Sequence, residues 1–186
     1  MPAVLAVWTP EDGLLGALAP LGLAAASGTC LVVDLDPFGP QYPGVRSLAD
    51  LASDGPRLAD LEPEHRGVAL LRNGGIPASE AGDVIEALAA RWPRTVLRLP
   101  PRPAPDGLRI PLVPVRLLVP GGLRPAPVGP AVYQATPHPM PLPGPGLRLP
   151  VPRRATTAAL LTGRMPAVGD RWVRAWRPVW EGPWTR

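Results

Sequence analysis

The stretch 30–40, CLVVDLDPFGP, constrains the fold of this 186-residue chain more than any other part of it. Its residues 31–33 are all aliphatic and do not alternate with polar ones. That pattern is typical of a short strand buried on both faces, as in a parallel sheet between two layers of helices. Asp34 and Asp36 come directly after this run. Because ligands of open α/β sheets bind at the carboxyl ends of the strands, these two carboxylates are the first candidates for a functional site.

Other short apolar runs and stretches of helical spacing supply the remaining elements of such a fold. The predicted strands are residues 3–8, 67–72, 95–99, 112–119 and 131–135. The predicted helices are residues 14–26, 45–53 and 80–91. Pro114 favours an edge position or a strand start for the strand at 112–119. The sequence therefore predicts an α/β fold: a three-layer, mostly parallel, doubly wound sheet of five or six strands, with the strand at 30–34 placed centrally.

Proline divides the chain into three segments. Seventeen of the 30 prolines lie between Pro100 and Pro152. We predict an α/β core at 1–119, a Pro/Gly-rich connection with room for one added strand at 120–152, and a basic, Trp-rich helical tail at 153–186 that packs on the core or extends from it. Within the connection, PHPMPLPGP predicts an extended, polyproline-like path.

The charges of the chain are unevenly distributed and include no lysine. Residues 1–100 hold seven arginines and twelve acids, whereas residues 148–186 hold eight arginines and two acids. The excess of arginine at the carboxyl-terminal end indicates an acidic protein partner, a membrane surface, nucleic acid, or a merely solvated basic helix. Because all 19 basic residues are arginine, any mechanism that needs a lysine is excluded. The single cysteine, Cys30, favours a reducing cytoplasm.

The apolar run that ends in DLDP and is followed by an aromatic residue and Gly resembles the ParA/MinD family of deviant P-loop ATPases. The resemblance is closest to the CpaE-like, septum-site-determining branch, and it extends over residues 2–118 and loosely beyond them. It implies a P-loop NTPase fold. It also implies a cytoplasmic protein, at times peripheral at the inner face of the membrane, that positions a pilus, a secretion machine or the division septum.

The resemblance also implies a nucleotide site, but several residues that such a site needs are absent from this chain. The family's phosphate loop resembles SGKGGVGKTT, and TPEDGLLGAL at residues 9–18 corresponds to it. Glu11 and Gly16 stand where the family has its two lysines, and Gly13 matches a loop glycine. Phosphates need backbone N–H groups and cations around them, and Glu11 brings the opposite charge.

The second acidic position of the family site is also lost. The fourth strand reads TVLRLPP, with Arg98 where the family has an acid, so that Asp34 and Asp36 stand alone. We interpret these two carboxylates as caps for the N–H groups of the next turn, in preference to a residual metal role. Glu11, Gly13, Gly16, Asp34, Asp36 and Arg98 are thus the residues of a vestigial nucleotide site.

The tail carries the other functional signal, DRWVRAWRPVWEGPW, in which tryptophan recurs every four residues. Helical spacing places successive tryptophans on one face and the arginines mostly away from it. Such a segment can bind a partner or an anionic membrane, or it can bury its tryptophans in the core, and these alternatives stay open. The predicted partner or membrane surface consists of Arg171, Trp172, Arg174, Trp176, Arg177 and Trp180.

These observations predict a catalytically inactive pseudo-ATPase that acts as an interaction or localisation factor. No catalytic residue, no cofactor and no metal are expected, since no Cys/His cluster has zinc spacing and no Ser-His-Asp arrangement can be assigned. A protein partner is the main expectation, with a membrane surface or a homodimer as further options. Nucleic acid is disfavoured because only charge supports it. The alternatives are an ATP-binding ParA/MinD-type ATPase with an atypical site, and a membrane-surface or nucleic-acid-binding module that uses the basic tail.

Overall fold

The computed structural model of this chain describes residues 3–11, 13–57, 60, 67–101, 110–120, 129–167 and 169–184. The strands are β1 (Ala3–Trp8), β2 (Cys30–Asp34), β3 (Val68–Leu71), β4 (Arg94–Arg98), β5 (Leu112–Leu117), β6 (Ala131–Gln134) and β7 (Gly146–Leu149). The α-helices are α1 (Gly13–Ala25), α2 (Leu48–Asp54), α3 (Gly82–Arg91), α4 (Arg154–Leu161) and α5 (Arg171–Ala175). Two 3-10 helices, Ala78–Glu80 and Arg177–Glu181, complete the described elements.

The seven strands form one parallel sheet in the order β3-β2-β4-β1-β5-β6-β7. All five residues of β2 are buried, and the strand lies between β3 and β4. The predicted three-layer, doubly wound α/β fold is therefore confirmed. Strand β2 is an interior strand, but it lies second from one edge of the sheet and not at the predicted central position. The predicted number of strands, five or six, was too low.

Two layers of helices explain why β2 shows no alternation of polar and apolar residues. Helix α1 packs on one face of the sheet together with α4, α5 and the 3-10 helix at 177–181. Helices α2 and α3 cover the other face, where Leu48 and Leu88 pack in the same cluster as Val33. Since α1 lies between the sheet and further helices, it is apolar on all sides and buried over most of its length. Among the described residues, no helix is long and apolar enough to cross a membrane.

Strand β5 is an interior strand, so the edge position that Pro114 suggested is wrong. Pro111 accepts a hydrogen bond from Ala6 of β1, and in a parallel strand alternate residues face the same neighbour. Pro114 therefore faces β6. Pairing with β6 begins one residue later, at Val115. Proline has no backbone N–H, and this is tolerated at Pro114 because the paired part of β6 does not need a hydrogen bond from that position.

Strand β7 was not predicted, and it extends the sheet into the proline-rich connection. Its four residues alternate: Leu149 is buried in the core, whereas Gly146 and Arg148 are exposed. The segment 137–145, which leads into β7, has no helix or strand. Met140 and Leu142 of this segment pack against a small cluster around Tyr133, so the connection covers part of the second face of the sheet where no described helix lies.

Two tryptophans of the tail belong to the hydrophobic core, which corrects their assignment to a partner or membrane surface. Trp172 and Trp176 are 2% and 0% exposed, and their rings meet edge to face with 5.5 Å between centroids. Both rings lie so close to Gly22 of α1 that a Cβ there would overlap them. The core-packing alternative therefore describes this pair.

Trp180 is half-buried, and its Nε1 donates to the carbonyl of Leu23 at 3.0 Å. The exposed residues of the predicted surface are Arg171, Arg174 and Arg177.

Candidate functional site

Polar side chains end most strands at the carboxyl edge of the sheet, where ligands of doubly wound folds bind. Thr9 and Glu11 follow β1, Asp34 ends β2 and Arg98 ends β4. Asn73 follows β3, and its Nδ2 donates to the carbonyl of Asp34 at 3.2 Å. Because these groups are mostly buried, each needs a hydrogen-bond partner, and their pairing decides what the edge can bind.

Arg98 forms two buried ion pairs with the aspartates of the DLDP sequence. Its Nη1 lies 3.0 Å from Asp34 Oδ2, and its Nη2 lies 2.9 Å from Asp36 Oδ2. Asp34 and Arg98 are direct neighbours in the register of β2 and β4, so their side chains leave the same face of the sheet. The arginine is 1% exposed and Asp34 is fully buried. These three residues are named the Asp-Arg-Asp cluster below.

The loop after β2 is built around this guanidinium. Arg98 Nη1 also donates to the carbonyl of Pro40 at 2.6 Å, and its Cζ lies 5.2 Å from the centre of the Tyr42 ring. Gly39 lies against both Arg98 and Asp36, and a Cβ at this position would overlap their polar atoms. Arg98 therefore holds the loop in place through contacts with both its side chains and its backbone.

The two aspartates also cap the turn, as the structural interpretation of the sequence predicted. Asp36 Oδ1 accepts the N–H groups of Phe38 and Gly39, both at 3.1 Å. Asp34 Oδ1 accepts the N–H of Asp36 at 3.0 Å. With one oxygen on the backbone and the other on Arg98, each carboxylate is occupied by the protein's own groups.

Burial dominates the electrostatics of Asp34, the innermost carboxylate of the Asp-Arg-Asp cluster. Desolvation raises the pKa of Asp34 from its ordinary 3.8 to about 6, and the opposing attraction of Arg98 is smaller. Desolvation likewise raises the pKa of Tyr42, whose hydroxyl donates to the carbonyl of Ala17 at 2.8 Å. Two carboxylates share one guanidinium, so the cluster has a net negative charge when both are ionised.

Glu11 is not directed into a phosphate site, contrary to its predicted place there. Its carboxylate turns toward β5 and forms an ion pair with Arg116, and its Oε2 accepts the N–H of Leu117 at 2.8 Å. The side chains of Glu11 and Arg116 are 2% and 8% exposed. The glutamate thus connects the end of β1 to β5. Asp12, the neighbouring acid, lies outside the described residues.

Residues 13–18 of the segment aligned with the phosphate loop lie in a helix. Strand β1 ends at Trp8 and α1 begins at Gly13, so only residues 9–12 connect them. Gly13 and Gly16, which were assigned to the vestigial loop, both lie within α1. Leucine and alanine have high helix propensity, so Leu14, Leu15 and Ala17 favour a helix over an extended loop. The segment therefore lacks the length to wrap around a triphosphate.

A mostly apolar groove of about 570 Å³ lies beside the Asp-Arg-Asp cluster. Leu35, Leu99 and Pro100 line it, and Phe38, which is 84% exposed, also contributes to its wall. The charged residue among the described lining groups is Asp36, whose carboxylate is already bound to Arg98. This groove suits an apolar group better than a phosphate.

The sequence analysis did not identify Arg116 or Asn73 as residues of this edge. It assigned Arg98 to a vestigial nucleotide site and did not predict its ion pairs with Asp34 and Asp36. A signal was present, because Arg98 and Arg116 each interrupt an apolar strand, and a buried arginine requires an acid or carbonyl partner. The acids that follow neighbouring strands, Asp34 and Glu11, were the natural partners.

The arginines of the predicted tail surface are separated from this edge cluster. Arg171 and Arg174 instead line a second concavity, together with Arg148 of β7. Arg177 is exposed but is not among the residues that line it. The structure therefore separates the predicted site residues. The Asp-Arg-Asp cluster is buried, Glu11 pairs with Arg116, and the two glycines lie at the start of α1. Two of the tail tryptophans lie in the core, Trp180 is half-buried, and the tail arginines are exposed.

No protein-family model matches this chain, and no curated protein matches it either. The likeness to the ParA/MinD family thus consists of the motifs quoted above. Within the part of the chain that the structure describes, His, Cys, Asp and Glu side chains form no group of three that could hold a metal ion.

Proposed function

We propose that this protein is a MinD/ParA-like pseudo-ATPase that acts as an interaction or localisation factor. The observation that carries the proposal is the position of Arg98, which binds both aspartates of the DLDP sequence in a buried cluster. Carboxylates at this edge would have to orient magnesium and water in an ATPase. Here a guanidinium takes their charge instead, so ATP with magnesium does not fit the residues present.

Three further features support the loss of nucleotide chemistry. The chain has no lysine to neutralise phosphates. Helix α1 begins at Gly13, which leaves residues 9–12 as the whole connection from β1. Glu11 is bound to Arg116 and to the N–H of Leu117, so it serves the fold. The atypical-ATPase alternative has no comparable support.

The remaining function is recognition, because a scaffold without its chemistry retains only its surfaces. By resemblance, we place this protein in the cytoplasm as a partner of a pilus or secretion machine or of the septum-positioning system. The burial of Trp172 and Trp176 argues against a membrane-binding tail, since a membrane-binding helix needs exposed apolar anchors. A protein partner is therefore the favoured ligand class.

Calorimetric titration with ATP and magnesium tests the proposal. We expect no binding tighter than the millimolar range and no phosphate release. The matched comparison is Asp36→Ala, which removes the carboxylate that a metal would need. Submicromolar to micromolar binding by the wild-type protein that disappears in Asp36→Ala would establish an atypical ATPase and overturn the pseudo-ATPase proposal.

A further inference from the structure

A basic concavity lies at the far end of the sheet from the Asp-Arg-Asp cluster. It has a volume of about 320 Å³ and opens between the end of β7 and helix α5. Its described lining is Arg148, Pro150, Arg171, Arg174 and Ala175. These residues are referred to below as the arginine pocket.

No acid is among the described residues that line the arginine pocket. From residue 111 onward the sequence has ten arginines and two acids, Asp170 and Glu181. The carboxylate of Asp170 accepts the N–H groups of Trp172 and Val173 at 2.8 and 3.2 Å and the hydroxyl of Thr156 at 2.8 Å. Its oxygens are therefore occupied, and Glu181 does not line the pocket.

The arginines are held at this position by the buried side of the same short helix. Trp172 and Val173 of α5 lie in the core beside α1, and the Trp172 Nε1 donates to Gln134 Oε1 at 2.7 Å. Arg148 sits on β7 and donates to the carbonyl of Met140. Because the backbones of both elements are fixed, little conformational freedom of the main chain is lost when a ligand binds.

The pocket adjoins an edge of the sheet with free backbone groups. Pro145 and Leu149 accept hydrogen bonds from β6, so alternate residues of β7 face the other way. Gly146 and Arg148 thus direct their N–H and carbonyl groups outward, where no described strand pairs with β7. An edge of this kind can accept an added strand from another protein.

We propose that the arginine pocket and the outer edge of β7 bind an extended acidic peptide segment of a partner protein. The peptide adds to β7 through its backbone and places carboxylates against Arg171 and Arg174. Carboxylates suit this set because guanidinium groups bind them with paired N–H donors. The inference deepens the proposed interaction function and rests on it.

A membrane or a free phosphate fits the same surface less well. A lipid surface would use exposed apolar anchors, and Trp172 and Trp176 of the tail are buried in the core. A small anion would leave the edge of β7 unused. The strand edge and the arginines together therefore favour a peptide.

Fluorescence anisotropy with a labelled peptide of alternating Glu and Val tests the proposal on the full chain at low ionic strength. We expect saturable binding that weakens with added salt, because salt screens exposed charges. Arg171→Glu with Arg174→Glu should weaken it at least about tenfold. The matched control is Arg154→Glu with Arg164→Glu, which changes the net charge equally at exposed arginines that do not line the pocket. It should weaken binding less than about threefold.

Two further probes separate the competing ligands. A Glu-Val peptide that is N-methylated at every backbone amide has the same charge but no N–H groups for strand pairing, so we expect it to bind at least about fivefold more weakly. Equal binding of both peptides, or equal loss in both double variants, would overturn the proposal. So would capture by phosphatidylglycerol vesicles or inorganic phosphate that depends on Arg171 and Arg174 while the Glu-Val peptide does not bind.

The two proposals can fail separately. If the wild-type protein binds ATP but retains Arg171- and Arg174-dependent binding of the Glu-Val peptide, the pseudo-ATPase proposal is wrong and the peptide site stands. If neither ATP nor the peptide binds, the peptide site is wrong while the loss of nucleotide function stands.

Discussion

Arg98 and the arginines of the arginine pocket are the same residue type in opposite environments. Arg98 is 1% exposed and forms ion pairs with Asp34 and Asp36, inside the edge where related folds bind nucleotides. Arg171 and Arg174 are exposed and line a concavity without a described acid. The first arrangement neutralises charge within the protein, and the second leaves charge for a ligand.

The comparison shows that the location of a charge matters more than its motif. The DLDP sequence directs attention to the carboxyl edge of β2, yet its carboxylates are consumed by Arg98 and by the turn that follows. The arginine pocket has no recognisable motif, but Arg171 and Arg174 are exposed there and no acid is among its described lining residues. The proposed binding surface therefore lies away from the motif, whose charged residues are used within the fold.

Removal of Arg98 should have the largest effect on stability. Arg98→Leu leaves two buried carboxylates without a counter-charge, so we expect a loss of about 3–5 kcal/mol in the free energy of unfolding. Urea denaturation followed by circular dichroism measures this. The matched control, Arg174→Leu, should change stability by no more than about 0.5 kcal/mol.

A neutral version of the cluster distinguishes lost charge from lost packing. Asp34→Asn and Asp36→Asn combined with Arg98→Leu should recover more than half of the loss, because no buried charge then remains unpaired. Equal stabilities of Arg98→Leu and Arg174→Leu would mean that the two kinds of arginine do not differ.

The tryptophans beneath the arginine pocket should behave as core residues. Trp176→Ala is expected to cost about 3–5 kcal/mol, since the ring is fully buried against α1 and Trp172. Trp184, which is half-buried, provides the matched control, and its replacement by alanine should cost less than half as much. A stable Trp176→Ala protein that had lost peptide binding would restore the tail tryptophans as a docking surface.

The sequence predicted the elements that are long or wholly apolar. The predicted strand at 3–8 coincides with β1, and the predicted helix at 14–26 is one residue away from α1 at each end. Both segments are buried by the layers around them, so hydrophobicity alone locates them. Strand β7 was missed because it has only four residues between prolines, of which Leu149 alone is fully buried, and so short a segment carries little periodic signal.

The candidate site depended on information that a single sequence does not contain. The pairing of Arg98 with Asp34 follows from the register of β2 and β4, which are 64 residues apart along the chain. The family alignment placed Gly13 and Gly16 in a loop, but both lie within α1, which begins at Gly13. In each case the arrangement of neighbouring strands and helices decided the outcome.

Stability should depend on pH through Asp34, and the sign follows from its raised pKa. Between pH 3.8 and about 6 the folded protein retains a proton on Asp34 that the unfolded chain has released. This group therefore lowers the free energy of unfolding as pH rises through that window, by about 3 kcal/mol, and has no further effect above it. Asp34→Asn removes the dependence, and urea titrations of both proteins at several pH values reveal it as their difference. A difference that stays constant from pH 4 to 7 contradicts the burial of an ionisable Asp34.

The smallest expected effect is that of replacing an arginine of the arginine pocket. It should raise the free energy of unfolding, whereas replacing Arg98 lowers it, so the two kinds of arginine differ in sign. The arginines of the arginine pocket share one concavity without a described acid, so each repels the others. Arg171→Gln or Arg174→Gln should relieve this repulsion and raise the free energy of unfolding by up to about 0.5 kcal/mol at low ionic strength. Because the charges are exposed, the gain should disappear at high salt. Arg154→Gln, outside the pocket, provides the control. Destabilisation by the pocket variants at low salt would show that their arginines are paired within the protein, as Arg98 is, and are not available to a ligand.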